Sequence, residues 1–180
     1  MSRSRRTGLI LALTLLVSVG CSTSPQPPPA TTPAFIEPPA ISTDPAPDFA
    51  LSTPDGQLLH LTDYRGQIIL INFWASWCRS CDAEMYALET YFQDHKDAGF
   101  TIIAVNYRES AKIAAAYAQE EGLTFPIVLD DKGEVADLYG VTGIPTSFFI
   151  DRDGSLLGYW PGAVLNYMLE QSLTPLLLEE

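Results

Sequence analysis

Cysteine is scarce in this 180-residue chain, with three in all. So few cannot staple a disulfide-dense miniprotein, so the fold must rest on an apolar core, and 47% hydrophobic residues suffice for one domain with extensions. Cations are scarce too: 10 Lys and Arg stand against 22 Asp and Glu, for a net charge of −12. Three of those cations, Arg3, Arg5 and Arg6, precede the first apolar run, so a product beginning at Cys21 carries seven basic against 22 acidic groups, a net charge of −15. Without a basic stripe to neutralise phosphates, neither nucleic acid nor electrostatic adsorption to anionic lipid is expected. Histidine is limited to His60 and His95, neither spaced as a ligand to a cysteine pair, and a second Cys-x-x-Cys is missing. A structural zinc site needs four ligands, so no metal is expected. Long apolar runs are missing as well, since the twelve residues from Gly8 to Val19 are too few to span a bilayer.

What the N-terminus does have is a basic start, that short apolar stretch, and the small residue Gly20 before Cys21. The arrangement resembles a bacterial lipoprotein signal, which implies a signal peptide over 1–20 and a lipid on Cys21 as membrane anchor. Ser18 departs from the motif, which usually has an aliphatic residue there. Ordinary secretion with cleavage nearby is the alternative, and both readings place the domain outside the cytoplasm. Ser22 is not the aspartate that, by the same resemblance, would hold a lipoprotein at an inner membrane, so the membrane stays open. Between Ser22 and Pro47 lie nine of the 14 prolines, among Ser, Thr, Ala and Gln. That composition cannot bury a core and reads as a flexible Pro-rich tether over 21–46, or else a loop packed on the domain. The folded domain is expected over 47–180.

Within it, apolar periods alternate in type. A short edge hairpin is expected around Gln57–Leu61 after the turn Pro54-Asp55-Gly56. The nearly continuous β-branched run Ile68–Trp74 reads as a strand covered on both faces. Helical spacing of Met85, Leu88, Phe92 and His95 before Gly99 predicts a helix from about Cys78 to Ala98. There follow a strand Phe100–Asn106, a helix Ser110–Glu121 stopped by Gly122, a strand Phe125–Leu129 and a short helix Glu134–Tyr139. Strands Thr146–Asp151 and Ser155–Trp160 flank the turn Asp151-Arg152-Asp153-Gly154, and a last helix spans about Val164–Leu173. This order predicts an α/β fold with a mixed sheet and helices on both faces.

One constellation carries clear chemistry: Cys78-Arg79-Ser80-Cys81, where a buried strand gives way to a helix. Orphan amides and the positive end of the helix dipole favour a thiolate at Cys78, and Arg79 adds a cation beside it. Cys78 is then the nucleophile, and Cys81, one turn inside, is the more buried resolving thiol. A purely structural disulfide is the alternative, although a bridge closing so short a loop stabilises little by loop entropy.

These residues, with Gly143-Ile144-Pro145-Thr146 ahead of a strand, resemble a thioredoxin-fold protein. The wider pattern of PDFAL (47–51), LTDYRGQIILINFWASWC (61–78), AEM (83–85), FPIVLD (125–130) and YGVTGIPTSFFID (139–151) resembles the membrane-anchored TlpA/ResA-like branch and covers about 46–180. The resemblance implies a thioredoxin fold with an added N-terminal β-hairpin and a central αβ insertion. It implies a cis proline at Pro145 against the cysteine pair, with the Ile144 backbone left free to pair with a substrate strand, flanked by Thr146 as a further substrate contact. Glu84, three residues after Cys81, matches the acid that in this branch handles the proton of the buried cysteine; a solvated helix carboxylate is the alternative. Thioredoxins themselves carry a buried aspartate in the preceding strand, where this chain has Asn72, which strengthens the case for Glu84 as the relay. Trp77 would be partly exposed beside Cys78, a flat apolar contact for a partner, and Trp74 would be core. Two departures stand out: Arg79-Ser80 lacks the proline common between the cysteines, and Tyr86 replaces a frequent helix-kinking proline.

The function this implies is an extracytoplasmic thiol:disulfide oxidoreductase without a cofactor, expected as a monomer. It would reduce disulfides of exported proteins, with apocytochrome c as one substrate class and a membrane thiol electron donor of the CcdA/DsbD type re-reducing the pair. A thiol peroxidase is a second reading, because LTDYRGQIILINF also resembles peroxiredoxins, but Ala75 stands where their cysteine needs a hydroxyl residue three positions earlier. A third is a tethered chaperone or scaffold whose CxxC is a staple.

Overall fold

Residues 45–178 are described by the computed structural model. The segments expected as a signal peptide, with Cys21, and nearly all of the expected tether lie outside the described residues. The sheet has seven strands in the order β2-β1-β5-β4-β3-β6-β7. They are β1 Ala50–Ser52, β2 Leu58–His60, β3 Ile68–Trp74, β4 Phe100–Tyr107, β5 Ile127–Asp130, β6 Thr146–Ile150 and β7 Leu156–Pro161. Strands β3, β4 and β5 run parallel, and β6, β7, β1 and β2 add antiparallel pairs. This is a thioredoxin fold, with β1–β2 as the added N-terminal hairpin and α2 (Ala111–Glu121) with β5 as the central insertion.

Strand β3 lies inside the sheet between β4 and β6, and all seven of its residues are buried. Alternation then divides them. Ile68, Leu70 and Trp74 join a cluster with Met85, Leu88, Phe100 and Ile102 under α1 (Arg79–His95), whereas Ile69, Ile71 and Phe73 join Ile103, Val105, Val128 and Tyr139 on the other face. Tyr139, in the turn after α3 (Glu134–Leu138), packs edge-on against Phe49, is tilted against Phe73 at 5.7 Å, and donates its hydroxyl to the Pro47 carbonyl.

Local sequence explains most boundaries. Helix α1 buries Cys81, Glu84, Met85, Leu88 and Tyr91, the three- and four-residue spacing of one face. Its last turn tightens to a 3-10 turn at Lys96–Ala98 before Gly99, whose φ of 77° only glycine adopts easily. The strand expected from Phe125 starts at Ile127, because Pro126 has no N–H to give the ladder. The 151–154 turn closes with Gly154 at φ 88° donating to the Asp151 carbonyl at 2.9 Å.

The C-terminus differs from expectation. Instead of one helix from Val164, there are α4 (Asn166–Ser172) and α5 (Thr174–Leu178). Val164 N–H is held by the Glu84 carboxylate at 2.7 Å, and Leu165 stays extended as the N-cap. Pro175 fits the first turn of α5, where a missing N–H goes unnoticed. Helix α5 returns to α1 through the Thr174 and Tyr91 hydroxyls, 3.0 Å apart.

Candidate active site

Cys78 is the N-cap of α1 and Cys81 lies in its first turn, joined as a disulfide with Cα atoms 5.3 Å apart. Cys81 is wholly buried and Cys78 nearly so, with the order of exposure that an attacking and a resolving sulfur require. The helix start sets this geometry: the Cys81 N–H donates to the Cys78 carbonyl, leaving Cys78 Sγ at the positive end of a 17-residue helix. Ser80 Oγ is 3.4 Å from Cys78 Sγ, while Arg79 is exposed. Trp77, 65% exposed, stands immediately before the pair as an apolar surface in water; Trp74 is fully buried.

Glu84 is the unusual group. It is 0% exposed, on the same buried face of α1 as Cys81. Its carboxylate accepts from Asn72 Nδ2 at 2.5 Å and from the Val164 N–H at 2.7 Å. Burial pushes its pKa from 4.5 up to about 7, and the two hydrogen bonds only partly oppose that rise. A carboxyl poised near neutrality can accept or release a proton during thiol exchange.

Pro145 follows a cis peptide bond from Ile144. The Pro145 carbonyl accepts from Gly162 N–H at 2.8 Å and Thr146 Oγ1 donates to the Gly143 carbonyl at 2.7 Å, so both flanks of the loop are fixed. Ile144 side-chain atoms pack against the cluster that contains both cysteines.

Three features were not legible in the sequence. Glu109, after β4, accepts from Ser76 N–H at 2.8 Å, Ser76 Oγ at 2.6 Å and Asn106 Nδ2 at 2.8 Å, clamping the loop that carries Trp77 and Cys78. It is delivered by Arg108 in the left-handed conformation (φ 57°), a turn a non-glycine residue rarely makes. Tyr117 lies against Trp74 at 4.8 Å and also donates to Asp82 at 2.9 Å. Asn72, expected only as the place where an aspartate is missing, is a direct partner of Glu84. Apart from Asn106 and Glu109, three residues apart, no sequence spacing ties these partners together, because the contacts join separate elements. Among the described residues no cluster of three His, Cys, Asp or Glu could hold a metal.

A cysteine pair capping the helix after a central strand, with a buried acid one turn further on and a cis-proline loop packed beside it, defines a thioredoxin-fold protein-disulfide oxidoreductase. Residues 42–157 match the AhpC/TSA family. The chain is 38% identical over 128 residues to the thiol-disulfide oxidoreductase ResA of Geobacillus thermodenitrificans, covering 71% of this chain and 74% of that one. It is also 38% identical over 131 residues to the thioredoxin-like protein YneN of Bacillus subtilis, covering 71% and 76%. A crystal structure of a putative thiol:disulfide interchange protein DsbE from Chlorobium tepidum superposes with a TM-score of 0.70 at 35% identity, over 75% of this chain and 96% of that one. The chain belongs to the ResA-like thiol-disulfide oxidoreductases of the AhpC/TSA family.

Proposed function

We propose that the protein works outside the cytoplasm as a reductant of disulfides in exported proteins, with Cys78 attacking, Cys81 resolving and Glu84 holding the proton of Cys81. The observation that supports this most is the fully buried Glu84 carboxyl on the Cys81 face of α1. The Cys78 thiolate attacks one sulfur of a substrate disulfide, that S–S bond breaks, and the first substrate thiolate leaves. Cys81 then passes its proton to Glu84 and attacks Cys78 Sγ, which forms the Cys78–Cys81 bond and expels the second substrate thiolate. The substrate gains two electrons and the pair loses two. A membrane thiol donor of the CcdA/DsbD type returns them. Trp77, Ile144 and Thr146 receive the substrate strand beside Pro145; the backbone of Ile144 bonds to no other described residue and so is available for it. Exported apocytochrome c is one substrate class, Cys21 carries the lipid, and 21–46 spaces the 47–180 domain from the membrane.

Direction is tested by equilibrating the full chain in graded thiol redox buffers and following the couple by tryptophan fluorescence and thiol alkylation. A potential near roughly −270 mV supports a reductant, whereas one near about −120 mV makes the protein an oxidant. No reversible couple at all would hand the lead to a scaffold with a structural disulfide.

A further inference from the structure

Asn72 sits fully buried in mid-strand, where an apolar residue of similar size would leave no polar atom to satisfy. Its Nδ2 donates to Glu84 Oε1 and, at 3.0 Å, to Ser147 Oγ, while its Oδ1 has no partner among the described residues. An orphaned buried carbonyl is costly, so the side chain is not there for stability alone. Asn72 and Ser147 are directly opposite in the β3/β6 register, on the face that looks at α1. Ser147, also fully buried, follows Pro145 by two residues.

This set of atoms can serve Glu84 in both protonation states. With Glu84 ionised, the amide donates to it and to Ser147 Oγ. With Glu84 protonated, a rotated amide presents the otherwise unused Oδ1 to the new O–H, and the Ser147 hydroxyl, donor or acceptor, follows. We propose that Asn72, oriented by Ser147, is a positioning residue that sets the proton affinity of Glu84 and keeps the acid hydrogen-bonded whether or not it carries the proton of Cys81. The last clause rests on the relay reading above. Around Glu84, its own helix brings Cys81 and Asp82, α2 brings Tyr117 bonded to Asp82, and β3, β6 and the loop before α4 bring the uncharged Asn72, Ser147 and Val164 amide.

The test is a direct titration of the Glu84 carboxyl by carbon-13 NMR in the oxidised full chain, for wild type, Asn72→Leu and Ser147→Ala. Asn72→Leu removes one of the two donors to the carboxylate, so its midpoint should rise by about one pH unit, a tenfold gain in proton affinity. Ser147→Ala makes no contact with Glu84 and should move the midpoint the same way by less. A midpoint unmoved in Asn72→Leu overturns the proposal, since burial alone would then set the acid, and one unmoved in Ser147→Ala overturns the orienting role. Should Asn72→Leu fail to fold, Asn72→Ala makes the same reading. Glu84→Gln separates the two layers. If the pH dependence of the Cys78/Cys81 potential is unchanged in that variant, the relay reading fails while the Asn72 result stands.

Discussion

At Cys81 the proposed mechanism makes its sharpest demand, because in it a wholly buried thiol must lose a proton before resolving a mixed disulfide. Cys81→Ser should leave Cys78 able to attack and unable to be released, so covalent adducts accumulate through Cys78 and run as reducible higher-mass bands on non-reducing gels. Cys78→Ser should form none. Glu109 matters differently, by holding Ser76 and Asn106 rather than touching the sulfurs. Glu109→Ala strips a partly buried loop of charge-assisted hydrogen bonds and should cost about 2 kcal/mol or more in urea unfolding. The CxxC and Glu84 could be named from sequence because they lie on one local frame, a strand end and the first turns of one helix. Glu109, Tyr117 and the bond from Asn72 could not, since 33, 35 and 12 residues separate them from the groups they serve.

Among the elements, α1 carries most of the site, and its two faces should respond very unequally to truncation. Leu88 is fully buried and Tyr86 is 80% exposed. Leu88→Ala should therefore lower unfolding stability by about 2–5 kcal/mol, and Tyr86→Ala should change it by less than about 0.5 kcal/mol, in matched denaturant titrations. The sheet guards its open sides: β2 has only three residues, and β7 follows a register irregularity at Phe149/Ile150 and ends on Pro161. Helix α4 begins two residues later than its pattern suggests: Leu165 is extended as the N-cap, and the Val164 N–H is held by Glu84, far away in sequence.

For the whole molecule, Glu84 links stability to pH. Its folded pKa, near 7, lies above its ordinary 4.5, so between those values the folded chain keeps a proton that the unfolded chain has lost. Stability should then fall as pH rises from about 4.5 to about 7 and level off above, by on the order of 3 kcal/mol from this group. Glu84→Gln cannot titrate, so unfolding free energies of variant and wild type, compared at a series of pH values, should diverge across that window. Parallel curves would show that the buried carboxyl does not carry the shift.

Sequence alone determined what is written in local period and spacing. Continuous β-branched runs made the central strands, the 3.6-residue pattern made α1, Asp-Gly and Gly stops placed the turns, and Cys78-x-x-Cys81 at a strand-to-helix junction made a redox pair the leading chemistry. Those signals act over a few residues, where backbone sterics and side-chain periodicity decide. Tertiary structure alone decided how the acid is tuned. The proton affinity of Glu84 depends on exclusion of water by packing and on donors from β3 and the loop before α4, and the aim of Cys78 depends on a carboxylate delivered from β4. Desolvation and hydrogen bonds between distant segments exist only once the chain has closed around them, so no reading of neighbouring residues could supply them.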